Sequence, residues 1–215
     1  MAAITNAEYV RLADSFLAHW AQVNDALGGT DLTLSKGYAV TNLKADRDAL
    51  EATLIALVSV DNDVQTARER RRTQQKTQSG RLKQFRNSVL GRLDGTDIAK
   101  ALPLIPSNNA TPEVWTKVLE DMSNLWTRVN GTPPAGFTAP LLLPTGYTHA
   151  SFTAEFTALK ATYTALAGAE NTAKSIRETR TQQAKALRRQ LIAYRKAVVG
   201  ALPMGHPLFA SLPGL

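Results

Sequence analysis

Two short segments of the chain carry apolar side chains at every third or fourth position, a spacing typical of amphipathic helices. The first covers 6–27, where Asn6 is placed to cap the helix and Gly28-Gly29 ends it. The second covers 112–130, with Thr111 as the cap and Pro112 at the first helical position. The shared stripe includes Tyr9, Phe16, Trp20 and Val23 in one segment, and Trp115, Met122, Trp126 and Val129 in the other.

Two longer segments, about 41–93 and 151–201, continue a helical spacing without any proline. At a rise of about 1.5 Å per residue, a helix of 50 residues is roughly 75 Å long, whereas the short helices reach only about 30 Å. A short helix therefore covers less than half of a long one. The rest must pack on the other long helix, on another subunit or against solvent, and Gly80 and Gly168 are the positions where either helix could bend.

The two halves of the chain resemble each other. Between 37–93 and 146–202, about 20 of 57 positions are identical, and Trp20-Ala-Gln-Val-Asn24 matches Trp126-Thr-Arg-Val-Asn130. We therefore predict a tandem duplication of a short-helix/long-helix hairpin, with repeats at 1–105 and 106–215. The predicted fold class is all-α. Because each hairpin leaves an apolar face that the other can cover, we expect an elongated, pseudo-two-fold four-helix bundle.

The long helices share a polar middle. Along the 3–4 spacing that defines their contact seam, both are apolar at the ends and charged at the centre. The central residues are Asp61, Arg68 and Arg71 in the first, and Glu170, Arg177 and Arg180 in the second.

Three explanations of this centre compete. In the first, an ion-pair layer joins the acid of one repeat to the arginine of the other and fixes register. In the second, the short helices end there and the arginines are solvated. In the third, the four arginines bind an anion such as phosphate, a nucleotide or a nucleic-acid backbone. Both copies keep Arg-Glu, at 68–69 and 177–178, which favours a specific role without deciding between the first and third explanations.

Charge is unevenly distributed. Residues 64–93 carry a net charge of +8 and residues 172–199 a net charge of +7, whereas the rest of the chain carries −8. This asymmetry suggests attraction to a polyanion or pairing of basic and acidic surfaces. The cations surround each predicted helix, Gln and Thr separate them, and few aromatic residues accompany them, which weakens a nucleic-acid interpretation without removing it.

Catalytic signatures are absent from the sequence. It has no cysteine, no phosphate-binding glycine loop and no metal-ligand spacing, and His19, His149 and His206 are isolated and unmatched between the halves. We therefore expect no enzyme, no cofactor and no metal site. We interpret the matched Trp20 and Trp126 as core anchors, and Tyr38 and Tyr147 as rings packed over the helix junctions rather than ligand contacts.

The leading hypothesis is a non-catalytic structural or interaction protein. It self-associates or docks into a larger assembly through the basic long helices and the apolar, proline-rich tails. The first alternative is a protein that binds polyanions such as a nucleic-acid backbone, and the second is a small-anion sensor or enzyme that uses the central arginines. With no signal peptide, membrane span or cysteine in the sequence, the expected location is the cytoplasm.

Overall fold

The computed structural model describes residues 5–107 and 109–215, and within them the protein is nearly all helical, with no β-strand. Its helices are α1 (Asn6–Ala26), α2 (Val40–Leu93), α3 (Asp97–Lys100), α4 (Pro112–Gly131) and α5 (His149–Ala201). Four of the five are long, and a helical bundle fits them. The all-α prediction is confirmed, whereas the elongated four-helix arrangement stays a prediction.

The N-terminal cap of α1 differs from the prediction. Thr5, not Asn6, is the capping residue, because its hydroxyl accepts a hydrogen bond from the backbone N–H of Glu8. The Glu8 carboxylate accepts in turn from the Thr5 backbone N–H, which completes a capping box. The Thr-x-x-Glu spacing carried this signal in the sequence. At α4, the predicted Thr111 cap and the proline at the helix start are confirmed.

Both long helices are continuous. α2 passes through Gly80 and α5 through Gly168 as helix, with 54 and 53 residues respectively. The segment after α2 contains the short helix α3, which Thr96 caps. Buried Ile98 anchors this helix in the apolar core.

The chain forms two compact units, and each takes helices from both hairpins. The first unit contains the described chain up to Asn62 together with Asn171–Leu215, and the second contains Asp63–Glu170. The first therefore combines α1 with the N-terminal part of α2 and the C-terminal part of α5. The second combines α3 and α4 with the remaining parts of α2 and α5. The predicted repeats at 1–105 and 106–215 concern sequence similarity and stay a prediction.

Each unit has its own apolar core. In the first, Phe16 and Trp20 from α1, Leu50 from α2, and Leu191 and Tyr194 from α5 are fully buried. In the second, the corresponding cluster includes Trp115, Trp126, Phe85, Phe152 and Leu159. All three tryptophans are fully buried, which confirms their interpretation as core residues.

The loops that follow the two short helices are held in the same way. In the first unit, Trp20 Nε1 donates to the Leu32 carbonyl at 3.2 Å, and the Leu32 N–H donates to Asn24 Oδ1 at 3.0 Å. In the second unit, Trp126 Nε1 and Asn130 Oδ1 hold Leu141 through the same two hydrogen bonds. The Trp-x-x-Val-Asn match therefore has a structural cause, since its Trp and Asn side chains form hydrogen bonds with the carbonyl and the N–H of one loop residue.

The Gly-Tyr pair closes each loop. Gly37 and Gly146 have φ values of 71° and 74°, a left-handed conformation that glycine adopts without steric cost. Tyr38 and Tyr147 lie 6.4 and 6.3 Å from Trp20 and Trp126, measured between ring centroids. Each tyrosine ring thus packs over its helix junction, as predicted.

Candidate functional site

The six charged residues from the middle of the long helices are divided between the two units. The first unit holds Asp61, Arg177 and Arg180, and the second holds Arg68, Arg71 and Glu170. Each unit therefore contains one acid and at least one arginine from this set.

In the first unit, Arg177 on α5 donates to the carboxylate of Asp61 on α2. In the second unit, Arg68 on α2 donates to the carboxylate of Glu170 on α5, at 2.7 Å. Each ion pair joins the acid of one hairpin to the arginine of the other. The four positions correspond to one another at the 109-residue offset of the sequence match.

Both ion pairs face solvent. The side chains of Arg177 and Asp61 are 48% and 47% exposed, and those of Arg68 and Glu170 are 41% and 47% exposed. Exposed ion pairs contribute at most about 1 kcal/mol, because water screens the attraction and the side chains lose conformational freedom. Pairing and solvation, which the sequence presented as competing explanations, thus apply to the same side chains.

Arg71 and Arg180 are placed differently. Both are half-buried, and within residues 5–107 and 109–215 neither has a carboxylate within ion-pair distance. The Nε atom of each is buried and has no hydrogen-bond partner among the described residues. The structure therefore brings four of the six predicted residues together in pairs and leaves these two arginines outside the pairs.

A polar network that the sequence did not predict crosses the second unit between α2 and α5. Gln75 Nε2 donates to the Tyr163 hydroxyl at 2.9 Å, and Thr162 donates to Gln74 Oε1 at 2.6 Å. Further along, Gln78 Nε2 lies 3.4 Å from Glu155 Oε2. Since the partner numbers on α5 fall as those on α2 rise, the two segments run antiparallel in this unit. The buried glutamines thus continue the seam that the sequence showed as polar.

Arg81 extends this network towards the loop. Its guanidinium lies 3.5 Å from Glu155 and 3.7 Å from the centre of the Tyr147 ring. Burial raises the pKa of the Tyr147 phenol, and the nearby Glu155 carboxylate acts in the same direction. The phenol is therefore neutral at physiological pH and is not an activated base. The cluster is best described as a structural cation–π and ion-pair contact.

His19, one of the isolated histidines of the sequence, is buried in the first unit. Its Nε2 lies 2.8 Å from the carbonyl oxygen of Leu208, and its Nδ1 lies 2.6 Å from the Tyr194 hydroxyl. Because a carbonyl oxygen only accepts, Nε2 carries the proton, and in that tautomer Nδ1 accepts from the Tyr194 hydroxyl. The histidine thereby connects α1 and α5 to the C-terminal tail.

A row of exposed cations on α5, in the first unit, lacks ion-pair partners among the described residues. We define the basic face as Lys174, Lys185, Arg188, Arg189 and Lys196, all of them exposed. None of the five makes an ion pair or a side-chain hydrogen bond with any described residue. Of the eight Lys and Arg residues in 171–215, Arg177 alone forms an ion pair with a carboxylate of a described residue, which is Asp61.

The basic face is narrower than the sequence suggested. At 3.6 residues per turn, its five cations lie within an arc of about 100°, which also contains the exposed Glu178, and from Lys174 to Lys196 they extend about 33 Å along the helix. Arg180 lies on the side of the core residues Leu187 and Leu191. The cations surround the helix only if the half-buried Arg180 and Arg195 are counted with the exposed ones. The sequence alone does not distinguish these two groups, whereas the degree of burial does.

In the described ranges, no group of three or more His, Cys, Asp or Glu side chains is arranged to hold a metal ion. Among the described helices, none combines the length and apolar character needed to cross a bilayer. The basic face has five exposed cations without an ion pair among the described residues, one more than the described part of α2, which presents Arg70, Lys76, Lys83 and Arg92.

Comparison with known proteins adds no assignment. No protein-family model matches the chain, and neither a curated protein nor a solved structure matches it.

Proposed function

We propose that this is a non-catalytic interaction protein that docks into a larger assembly through the basic face of α5. The carrying observation is that five exposed cations lie on one side of a helix and make no ion pair with any residue that the structure describes. Such a concentration of like charge destabilises an isolated surface and is relieved by an anionic partner. The partner in this proposal presents an extended negative surface.

The acidic side chains of the first unit are only partly paired. Asp14, Asp48 and Glu51 share the two cations Arg47 and Lys44, and Arg47 binds Asp14 at 2.8 Å. Residues 5–62 carry eight acids against four Lys and Arg residues. A second copy of the chain therefore also presents acidic side chains, and the proposal of an external partner rests on the basic face itself.

The small-anion hypothesis receives less support. Arg68 and Arg177, two of its four arginines, already donate to carboxylates. An anion would have to displace Glu170 and Asp61, and each displaced carboxylate would then repel it. The other two, Arg71 and Arg180, have buried Nε atoms without a partner among the described residues, but each lies in a different compact unit.

We also propose that the two hairpins arose by tandem duplication. The support comes from the equivalent hydrogen bonds at Leu32 and Leu141, the left-handed glycines before Tyr38 and Tyr147, and the one-in-three identity of the long helices. The basic face is not duplicated position by position, because Arg188 and Arg189 correspond to Ser79 and Gly80. Under this proposal, the docking surface belongs to one hairpin and developed after the duplication.

The test is elution from a heparin column by two variants of equal net charge. The first, Lys185→Gln/Arg188→Gln/Arg189→Gln, removes three cations of the basic face. The control, Lys44→Gln/Lys100→Gln/Lys117→Gln, removes three exposed lysines that have acidic partners elsewhere. We expect the first to elute at clearly lower salt than the control. Elution of both at the same salt concentration would mean that net charge alone governs binding, and the proposal would fail.

A further inference from the structure

We infer that the basic face of α5 binds the sugar-phosphate backbone of a nucleic-acid duplex without reading its sequence. This rests on the proposed function and names the class of its partner. The shared chemistry is a double-stranded phosphodiester backbone, whether DNA or RNA.

Charge and length favour such a partner. A duplex carries about one negative charge per 1.7 Å of its axis, so a contact about 33 Å long meets roughly ten base pairs. Glu178 is the single acid within residues 171–215, against eight Lys and Arg residues. Because the five cations make no ion pair within the described ranges, contact with phosphates breaks no ion pair seen there. Binding then gains from the counterions released from the duplex.

The composition of the face argues against a protein partner. Cores of protein–protein interfaces are depleted in lysine and built on buried apolar or aromatic anchors. Three of the five cations here are lysines, and the one large exposed apolar side chain on this part of α5 is Val199, beyond Lys196. Protein–nucleic-acid interfaces are more polar and far more positively charged. The face matches this second class.

The side chains beside the cations indicate contact with backbone rather than with bases. Ser175 and Gln182 are exposed next to the basic face and are free to donate to phosphate oxygens. Tyr194, the aromatic residue in this part of α5, is fully buried and unavailable for stacking on unpaired bases. These features favour a duplex over a single strand and predict no preference for sequence.

The test is fluorescence anisotropy with the full chain and four probes. These are two 20-base-pair DNA duplexes of unrelated sequence, a 20-base-pair RNA duplex and a labelled polyglutamate. Five phosphate contacts predict a slope of log K against log salt of about −4.5, or about 500-fold weaker binding between 50 and 200 mM salt. For Lys185→Gln/Arg188→Gln/Arg189→Gln, the two remaining contacts predict a slope of about −1.8. Lys44→Gln/Lys100→Gln/Lys117→Gln should keep the wild-type slope.

The outcomes separate this inference from the proposed function. Equal affinity for both DNA sequences, with loss only in the basic-face variant, supports it, and the ratio of DNA to RNA affinity identifies the source of the backbone. Binding of polyglutamate but not of duplex through the same face would overturn the inference and leave the proposed function standing. Binding of neither probe at low salt would overturn both. Equal loss in the two variants would also overturn the inference. Circular-dichroism melting verifies that each variant is folded.

Discussion

The side-chain oxygen of Asn130 accepts a hydrogen bond from the backbone N–H of Leu141 at 2.7 Å, while Trp126 donates to the carbonyl of the same leucine. In the first unit, Asn24 and Trp20 make the same two hydrogen bonds to the backbone of Leu32. The loop after each short helix is thus attached through both polar groups of one residue. The Trp-x-x-Val-Asn motif that both halves share is therefore explained by its hydrogen bonds to the loop backbone, with no ligand required.

Removing the asparagine should destabilise the protein. Asn130→Ala leaves the partly buried N–H of Leu141 without its acceptor, which costs about 1–3 kcal/mol of unfolding free energy. Asn124→Ala, at an exposed position on the same helix, is the matched control and should cost under about 0.5 kcal/mol. Urea denaturation measures both. Equal stability of the two variants would show that the hydrogen bond at Leu141 contributes nothing.

The exposed ion pairs should contribute little. A double-mutant cycle of Arg68→Ala and Glu170→Ala should give a coupling energy below about 1 kcal/mol, because both side chains are more than 40% exposed. The same holds for Asp61 and Arg177. A coupling of several kcal/mol would instead indicate a desolvated layer, contrary to the observed exposure.

His149 makes stability depend on pH. Burial lowers the pKa of its imidazole below the usual value, and its Nε2 lies 2.8 Å from Ser123 Oγ. Since the unfolded chain binds the proton more readily, this contribution is fully present above about pH 6.5 and is lost as pH falls through the folded-state pKa. Melting temperatures between pH 7.5 and 5.5 should fall further for the wild type than for His149→Gln. Parallel curves would contradict this assignment.

The buried His19–Tyr194 hydrogen bond permits a comparison with the other unit, where the matching positions are Leu125 and Phe85. Tyr194→Phe leaves Nδ1 of His19 buried without a donor and should cost about 1–3 kcal/mol. Adding His19→Leu to that variant removes this orphaned nitrogen, so the double variant should be more stable than the sum of the single effects predicts. Thermal unfolding measures the cycle, and strict additivity would mean that the two side chains do not interact.

Local features of the fold were accessible from the sequence, whereas packing partners were not. The 3–4 spacing predicted the ends of the four long helices to within about two residues, as is usual for strongly periodic segments. The same spacing marks an apolar seam without specifying what covers it. Hence the sharing of α2 and α5 between two compact units was not predicted.

The candidate site shows the same limit. Charge along the sequence identified Asp61, Arg68, Glu170 and Arg177, since acid and arginine recur at matched positions. It did not reveal the basic face, because Arg180 and Lys185 look alike until burial places one towards the core and the other in solvent. The partners of the buried Gln75 and Gln78 depend on the antiparallel register of α2 and α5 in the second unit, which the sequence does not specify.

The most direct test of docking through the basic face is lysine-acetylation footprinting by mass spectrometry, with and without a heparin oligosaccharide. Lys44 and Lys117 provide internal references, because their side chains are 68% and 77% exposed and lie outside the face. We expect heparin to slow acetylation of Lys174, Lys185 and Lys196 several-fold and to leave the two references unchanged. Equal protection of all lysines, or protection centred on Lys44 and Lys117, would contradict it.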